Sequence, residues 1–342
     1  MKAIRVGFIF SILLSQTAYA QTEKEAVIFD ELYDEPYDIN KFFIGFIPFY
    51  GEVFATNVNA GFGLEAHYYH KKKFDINAHF RKTYSSKFFD FNRELALNNS
   101  SVSNTPEIFN YYEFGGTYHI KDFDVSSQTK IFLHKKNIPR NRWAASVPQY
   151  AEIPSKLRKI YGVRAGTVIW NSTVDLSRTL EKQGLTNLDL TTAEGKQLPE
   201  TYIDGNGVAQ DLNVFSSLYS TNIYVGGSFS LIRNIAVSFD KYDEGLDDGM
   251  LTLFMDVMFS PSLTLDPVVY KSEDYLTAAV KTNKIGFRAG IDGRFNRTLS
   301  WSYGGEVGYR PSLDGRGFFA LLKISFPVFS SNLDNKVEAF GK

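Results

Sequence analysis

Long runs of strict alternation between apolar and polar residues constrain this chain more than any other feature. In residues 57–84, NVNAGFGLEAHYYHKKKFDINAHFRKTY, Val58, Ala60, Phe62, Leu64, Ala66 and Tyr68 alternate with polar or small residues. After a basic turn, Phe74, Ile76, Ala78 and Phe80 alternate again. Side chains on a strand point to its two faces in turn, so each segment reads as a strand with one apolar face. The pattern recurs over 112–120, 123–133, 161–169, 221–231, 235–239, 251–259, 285–295, 299–309 and 318–326. Many of these runs reach ten residues or more. Strands in soluble proteins usually stop at about 5–6 residues, whereas a tilted strand crossing a bilayer needs about 9–11. Length therefore predicts that the apolar faces meet lipid.

The amino terminus points the same way. Lys2 and Arg5 precede an apolar run over 6–14, and Ala18-Tyr19-Ala20 places small residues where a signal peptidase reads. Residues 1–20 are read as a secretory signal peptide, cleaved after Ala20, since the run is too short for a membrane-spanning helix. No other segment approaches the ~20 consecutive apolar residues of such a helix, so membrane insertion requires a closed barrel. The chain has no cysteine, which removes disulfides, thiolate chemistry and a lipid-bearing cysteine at the cleavage point. A net charge of −1 provides no general attraction for nucleic acid.

Register carries the strand count. If Tyr69 pairs with Lys73, Tyr68 meets Phe74, Phe62 meets Phe80, His67 faces Asp75 and Gly61 faces Arg81. Further tight turns are expected at Lys121-Asp122, Trp170-Asn171, Ile232-Arg233-Asn234, Ser260-Pro261-Ser262 and Asn296-Arg297-Thr298, because each keeps apolar residues on one face of the pair. Longer polar connections fall at 85–107, 135–157, 181–215, 272–283 and 310–317, with a short acidic one at 242–249. With an opening strand near 42–50 and another near 263–271, the reading is an all-β chain: an antiparallel transmembrane β-barrel of about 14 strands, or 12 if the weakest are dropped. It occupies residues 42–329, behind an acidic periplasmic segment at 21–41 and ahead of a tail at 330–342. Tight turns are assigned to the periplasm and long loops to the exterior. Tyr68, Phe74, Tyr118, Phe123, Phe229, Phe259, Phe295 and Trp301 lie near the tight turns and are expected to form an aromatic girdle.

Through its signal peptide, its registered hairpins and an aromatic-rich last strand, GRGFFALLKISFPVF at 315–329, the sequence resembles the Gram-negative outer-membrane β-barrel class. Its Phe-, Tyr-, Lys- and Asn-rich texture resembles barrels from Bacteroidota. The resemblance covers residues 42–329 and implies an outer-membrane location and contact with outer-membrane lipids. The chain departs from the class in continuing past its last strand with SSNLDNKVEAFGK rather than ending on an aromatic residue.

The face opposite the apolar one carries Glu65, His67, His79, Arg81, Glu113, His119, Lys130, Arg164, Arg288, Arg294 and Glu306, all expected to line the lumen. Their mixed signs suit a salt-bridged interior better than a selective pore. His67, His79 and His119 share that face on neighbouring strands, but their spacing matches no compact metal motif, and lumen polarity is the preferred reading. No catalytic set and no phosphate-binding glycine loop stands out, so neither an enzyme nor a cofactor is expected. The function expected is solute passage or support of an envelope complex, with partners docking on residues 22–41 or the external loops. Two alternatives are a hydrophobic-compound transporter plugged by its N-terminal segment and a secreted soluble β-sandwich adhesin.

Overall fold

The computed structural model describes residues 29–331 apart from 56, 71–72, 85–100, 134–148, 241 and 297–300. The expected signal peptide and nearly all of the C-terminal tail lie outside the described residues. In chain order the strands begin with β1 (Phe29–Asp34), β2 (Phe42–Phe54), β3 (Asn57–His70), β4 (Phe74–Thr83), β5 (Asn110–Leu133) and β6 (Gln149–Asp175). After helix α1 (Leu176–Gln183) come β7 (Thr201–Ile203), β8 (Ala209–Asp211), β9 (Phe215–Ile232), β10 (Ile235–Phe239), β11 (Gly245–Asp247) and β12 (Gly249–Leu265). The last are β13 (Val268–Tyr270), β14 (Glu273–Tyr275), β15 (Thr282–Asn283), β16 (Ile285–Phe295), β17 (Ser302–Tyr309), β18 (Ser312–Leu313) and β19 (Phe318–Ser330).

Ten of these strands close into an antiparallel barrel, in the order β2-β3-β4-β5-β6-β9-β12-β16-β17-β19 and back to β2. The wall has ten strands rather than 12 to 14, for identifiable reasons. At Lys121-Asp122 the chain does not turn; β5 runs on through a bulge between His119 and Lys121. At Ser260-Pro261-Ser262, β12 bulges between Phe259 and Ser262 and continues to Leu265, and the rest of the expected 263–271 strand is the short β13, which pairs with β14 outside the wall. A bulge inserts one residue and changes the facing pattern much as a hairpin loop does, so the two look alike in a sequence. Pro48 lies at another bulge, between Ile47 and Tyr50 of β2. Proline has no N–H to give a ladder, and a bulge is where its absence costs least.

Two further expected turns also fail. Trp170 faces inward, buried, and β6 runs straight through it to Asp175. Beyond Ile232, β10 leaves the wall and pairs with β1 on one side and β11 on the other. The β3–β4 hairpin does form, but shifted by two residues: His70 faces Phe74, Tyr68 faces Ile76, His67 faces Asn77 and Gly61 faces Thr83. A shift of two keeps every side chain on its expected face.

Val58, Ala60, Phe62, Leu64, Ala66 and Tyr68 point out of the barrel, and Asn59, Glu65 and His67 point in. β12 repeats the pattern: Asp256 is 0% exposed inside, whereas Val257 is 61% exposed outside. The apolar faces therefore ring a closed barrel and do not pack on each other as a sandwich requires.

The two ends of the barrel differ. At the near end, which receives β1, the connections are 71–73, 134–148, 233–248 and 296–301. At the far end they are 55–56, 84–109, 176–214, 266–284 and 310–317. The connections expected at 135–157 and 242–249 thus belong to the near end rather than to the long-loop end. Tyr68, Phe74, Tyr118, Phe123, Phe229 and Trp301 do gather near the near end, with the Tyr161 ring 6.3 Å from Phe123 and 4.9 Å from Phe229. Phe259 does not join them, since it pairs with Ile223 and Ile285 towards the far end.

β5 and β6 outrun their neighbours. Beyond Tyr118 and before Arg158 they pair only with each other, forming an arm of two strands, about 30 Å long at about 3.3 Å per residue, that projects past the near end. One face of the arm packs Ile131, Leu133 and Ile153 on Ile235, Val237 and Phe239 of β10. The sheet β1-β10-β11 is thus fastened to the arm, and Lys156 N–H donates to Asp34 Oδ2 at 2.7 Å.

Candidate functional site

Among the described residues, charged side chains from many strands converge in the interior. The far end of the lumen is apolar: Tyr50 and Phe54 of β2, Tyr111 of β5, Trp170 of β6 and Phe319 of β19 pack with Leu176 and Leu180 of α1. Asp175 starts α1 by accepting a hydrogen bond from Arg178 N–H, and Gly184 ends it at φ 70°, a conformation that costs glycine little. The loops at this end fold onto the barrel mouth, with Leu190, Leu198 and Leu212 joining the same apolar mass.

Below it lies an ion-pair network centred on Arg288 of β16. Its Nη2 donates to Glu113 Oε1 at 2.5 Å, its Nη1 to Glu113 Oε2 at 3.0 Å, and its Nε to Asp256 Oδ2 at 2.9 Å. Glu306 Oε2 sits 3.3 Å from Nη1, and the Tyr111 hydroxyl accepts at 3.2 Å. Glu113 is on β5, four strands round the wall of ten, so Arg288 reaches across the lumen. Arg164 Nε lies 3.2 Å from Asp256 Oδ1 and Arg81 Nη1 3.8 Å from Glu306 Oε1. Gly115 and Gly166 leave room for the Tyr224 ring, since a Cβ on either would overlap it. Higher up, Arg310 pairs with Glu52 at 2.6 Å and lies over the rings of Phe319 and Phe54.

Towards the near end Lys323 Nζ sits 2.9 Å from both Glu65 Oε2 and Asp292 Oδ1. Glu65, His67 and His79 converge, each offering a ligand atom within 4.8 Å of the others. His119 does not join them; its Nε2 pairs with Asp75 Oδ2 at 2.8 Å. The near-end mouth is closed by Phe43, Ile160, Ile232 and Met250, with Ile39 and Tyr69 packed on them. The chain crosses this mouth at residues 35–40: Asn234 Nδ2 donates to the carbonyls of Glu35 and Asp38, and Asn40 Nδ2 donates to the Asn296 carbonyl at 2.6 Å.

Of the expected lumen residues, Glu65, His67, His79, Arg81, Glu113, His119, Arg164, Arg288 and Glu306 face the interior. Arg294 also faces it, only half-buried, its guanidinium 5.6 Å from the Phe43 ring. Lys130 does not line the lumen. It lies on the arm, its side chain 62% exposed and 3.7 Å from Glu152, because β5 carries on past the barrel. Glu52 was not legible, since the opening strand was expected only near 42–50, whereas β2 runs on to Phe54. The register of polar residues against outward Phe49 and Val53 was the signal that could have found it.

Side chains lining a water-filled channel stay accessible to water. Arg288 is 1% exposed, and Asp256, Glu52 and Arg310 are equally shut off. The network thus fills the barrel's cross-section. A scan against protein-family models found no match, and a search of the curated proteins found no similar protein.

Proposed function

We propose that the protein is an integral outer-membrane barrel whose lumen is closed, held in the membrane as an accessory subunit of an envelope complex. The single observation that carries the membrane reading is the inverted burial of the wall: ion pairs inside, and Leu253, Val257, Phe287, Val307 and Leu322 exposed outside. In water that wall would leave a contiguous apolar surface far beyond what monomeric proteins tolerate, whereas in lipid it is the matching solvent. The expected signal peptide and the resemblance to Gram-negative outer-membrane barrels support export to that membrane, and the aromatic residues gathered at the near end support a boundary there. In this reading the near end faces the periplasm, and the arm, with the acidic strand β1, is the part left free for partners.

The accessory reading rests on the sealed interior. A second reading, a transporter plugged by its N-terminal segment, is favoured by the crossing of the near-end mouth by residues 35–40. Planar-bilayer recording separates the two. Wild-type protein is expected to conduct negligibly, and deletion of residues 29–41 is expected to leave it closed, because the Arg288 network does not depend on that segment. A current that appears only in the deletion favours the plugged transporter, and a large standing current in the wild type overturns both in favour of solute passage.

A further inference from the structure

We propose that Glu65, His67 and His79 form a binding site for a divalent transition-metal ion of the zinc class, inside the near half of the barrel. Glu65 and His67 are two apart on β3 and so share its inward face, and His79 of β4 stands directly across from Glu65 in the ladder. The two imidazoles lie edge to face, 77° apart with ring centroids at 5.3 Å, so their nitrogens can aim at a common point. His67 is more than nine-tenths buried, and its Nε2 meets no hydrogen-bonding partner among the described residues. A buried polar atom without a partner is costly, and a ring nitrogen so placed is satisfied by a metal ion.

The donor set of two imidazoles and one carboxylate suits zinc, with an open position left for water. Ligand atoms at about 2.1 Å from a tetrahedral ion lie about 3.4 Å apart, so the present spread of up to 4.8 Å must close by as much as about 1.4 Å. Ordinary side-chain rotation supplies that. Lys323 does not block the site. It also holds Asp292 at 2.9 Å and keeps a counter-charge if Glu65 turns to the ion. Glu65 Oε1 meanwhile takes only a 3.4 Å hydrogen bond from Ser302. The other cation nearby, Arg294, lies over the Phe43 ring. On the near-end side of the site, Asp75, one inward level below His67 and Asn77, keeps 21% of its side chain exposed. The site is interior to the barrel whatever surrounds the wall, so it stands apart from the membrane reading.

The test uses tag-free, full-length protein folded in detergent, with zinc chloride as the probe. Metal content after gel filtration and calorimetric titration are compared among wild type, H67Q, H79Q and H119Q. Folding of each is checked by heat-modifiable electrophoretic mobility. The expected result is one zinc per chain in wild type and H119Q, and binding weakened at least about tenfold in H67Q and H79Q. Substoichiometric zinc in wild type, or equal binding in all four, overturns the site. Should H67Q or H79Q fail to fold, cobalt(II) added to wild type decides. A visible absorption band saturating at one equivalent upholds the site, and its absence overturns it.

Discussion

Arg288 concentrates the energetics of the interior. Three carboxylates, of Glu113, Asp256 and Glu306, surround it with almost no access to water. A buried charge that loses its partner costs far more than the pair was worth, about 3–5 kcal/mol. Arg288→Met is therefore expected to destabilise the folded barrel by about that much in urea titrations in detergent. Adding Glu113→Gln and Asp256→Asn to it should recover a large part of the loss. A single variant as stable as wild type would show that the network is slack. At this scale the sequence was informative about facing and uninformative about partners. Parity put His67 and Arg81 inside, yet it paired His67 with Asp75, where the chain pairs His119 instead. Facing depends only on odd and even positions, whereas partnership depends on a register that slid by two residues and on contacts across the lumen between distant strands.

Elements were less legible than residues, and bulges are the reason. The changes of pattern at Lys121 and Pro261 carry the same local signature as a turn, and only the neighbouring strand distinguishes them. β10 gave a subtler warning: Ile235, Ala236 and Val237 are buried in succession, so this strand is covered on both faces instead of alternating like the wall. Its partners are the arm and β1, and that docking makes two predictions. Ile131→Asp puts a charge into the small core under the arm. It should expose β1 and β10 to protease while the barrel keeps its heat-modifiable mobility, and simultaneous loss of the barrel would show that the arm is needed for the wall to fold. Asp34 offers the gentler change. Burial pushes its carboxyl above the usual range, against the pull of the Lys156 N–H and ammonium. A raised folded-state value means that the contribution to β1 docking is greatest at low pH and is lost as pH rises through it. Asp34→Asn keeps the acceptor and drops the charge, so at pH 7 hydrogen exchange in β1 should be slower than in wild type. The two proteins should converge once the wild-type carboxyl is protonated, and faster exchange in the variant at pH 7 would reverse the assigned sign.

For the whole molecule, the central claim is that the outward belt faces lipid while the arm faces water. The belt was visible in the sequence because wall strands repeat one rule many times. The arm was hidden because β5 and β6 leave the barrel without a break in their pairing. The absence of native cysteine permits single nitroxide labels at Met255 and Val257 on the wall and at Ser126 on the arm. In protein reconstituted into liposomes, collision with oxygen and with a water-soluble nickel complex reads the surroundings of each label. The account predicts that Met255 and Val257 are open to oxygen and closed to nickel, and that Ser126 is open to nickel. Wall labels as accessible to nickel as the arm label would contradict it.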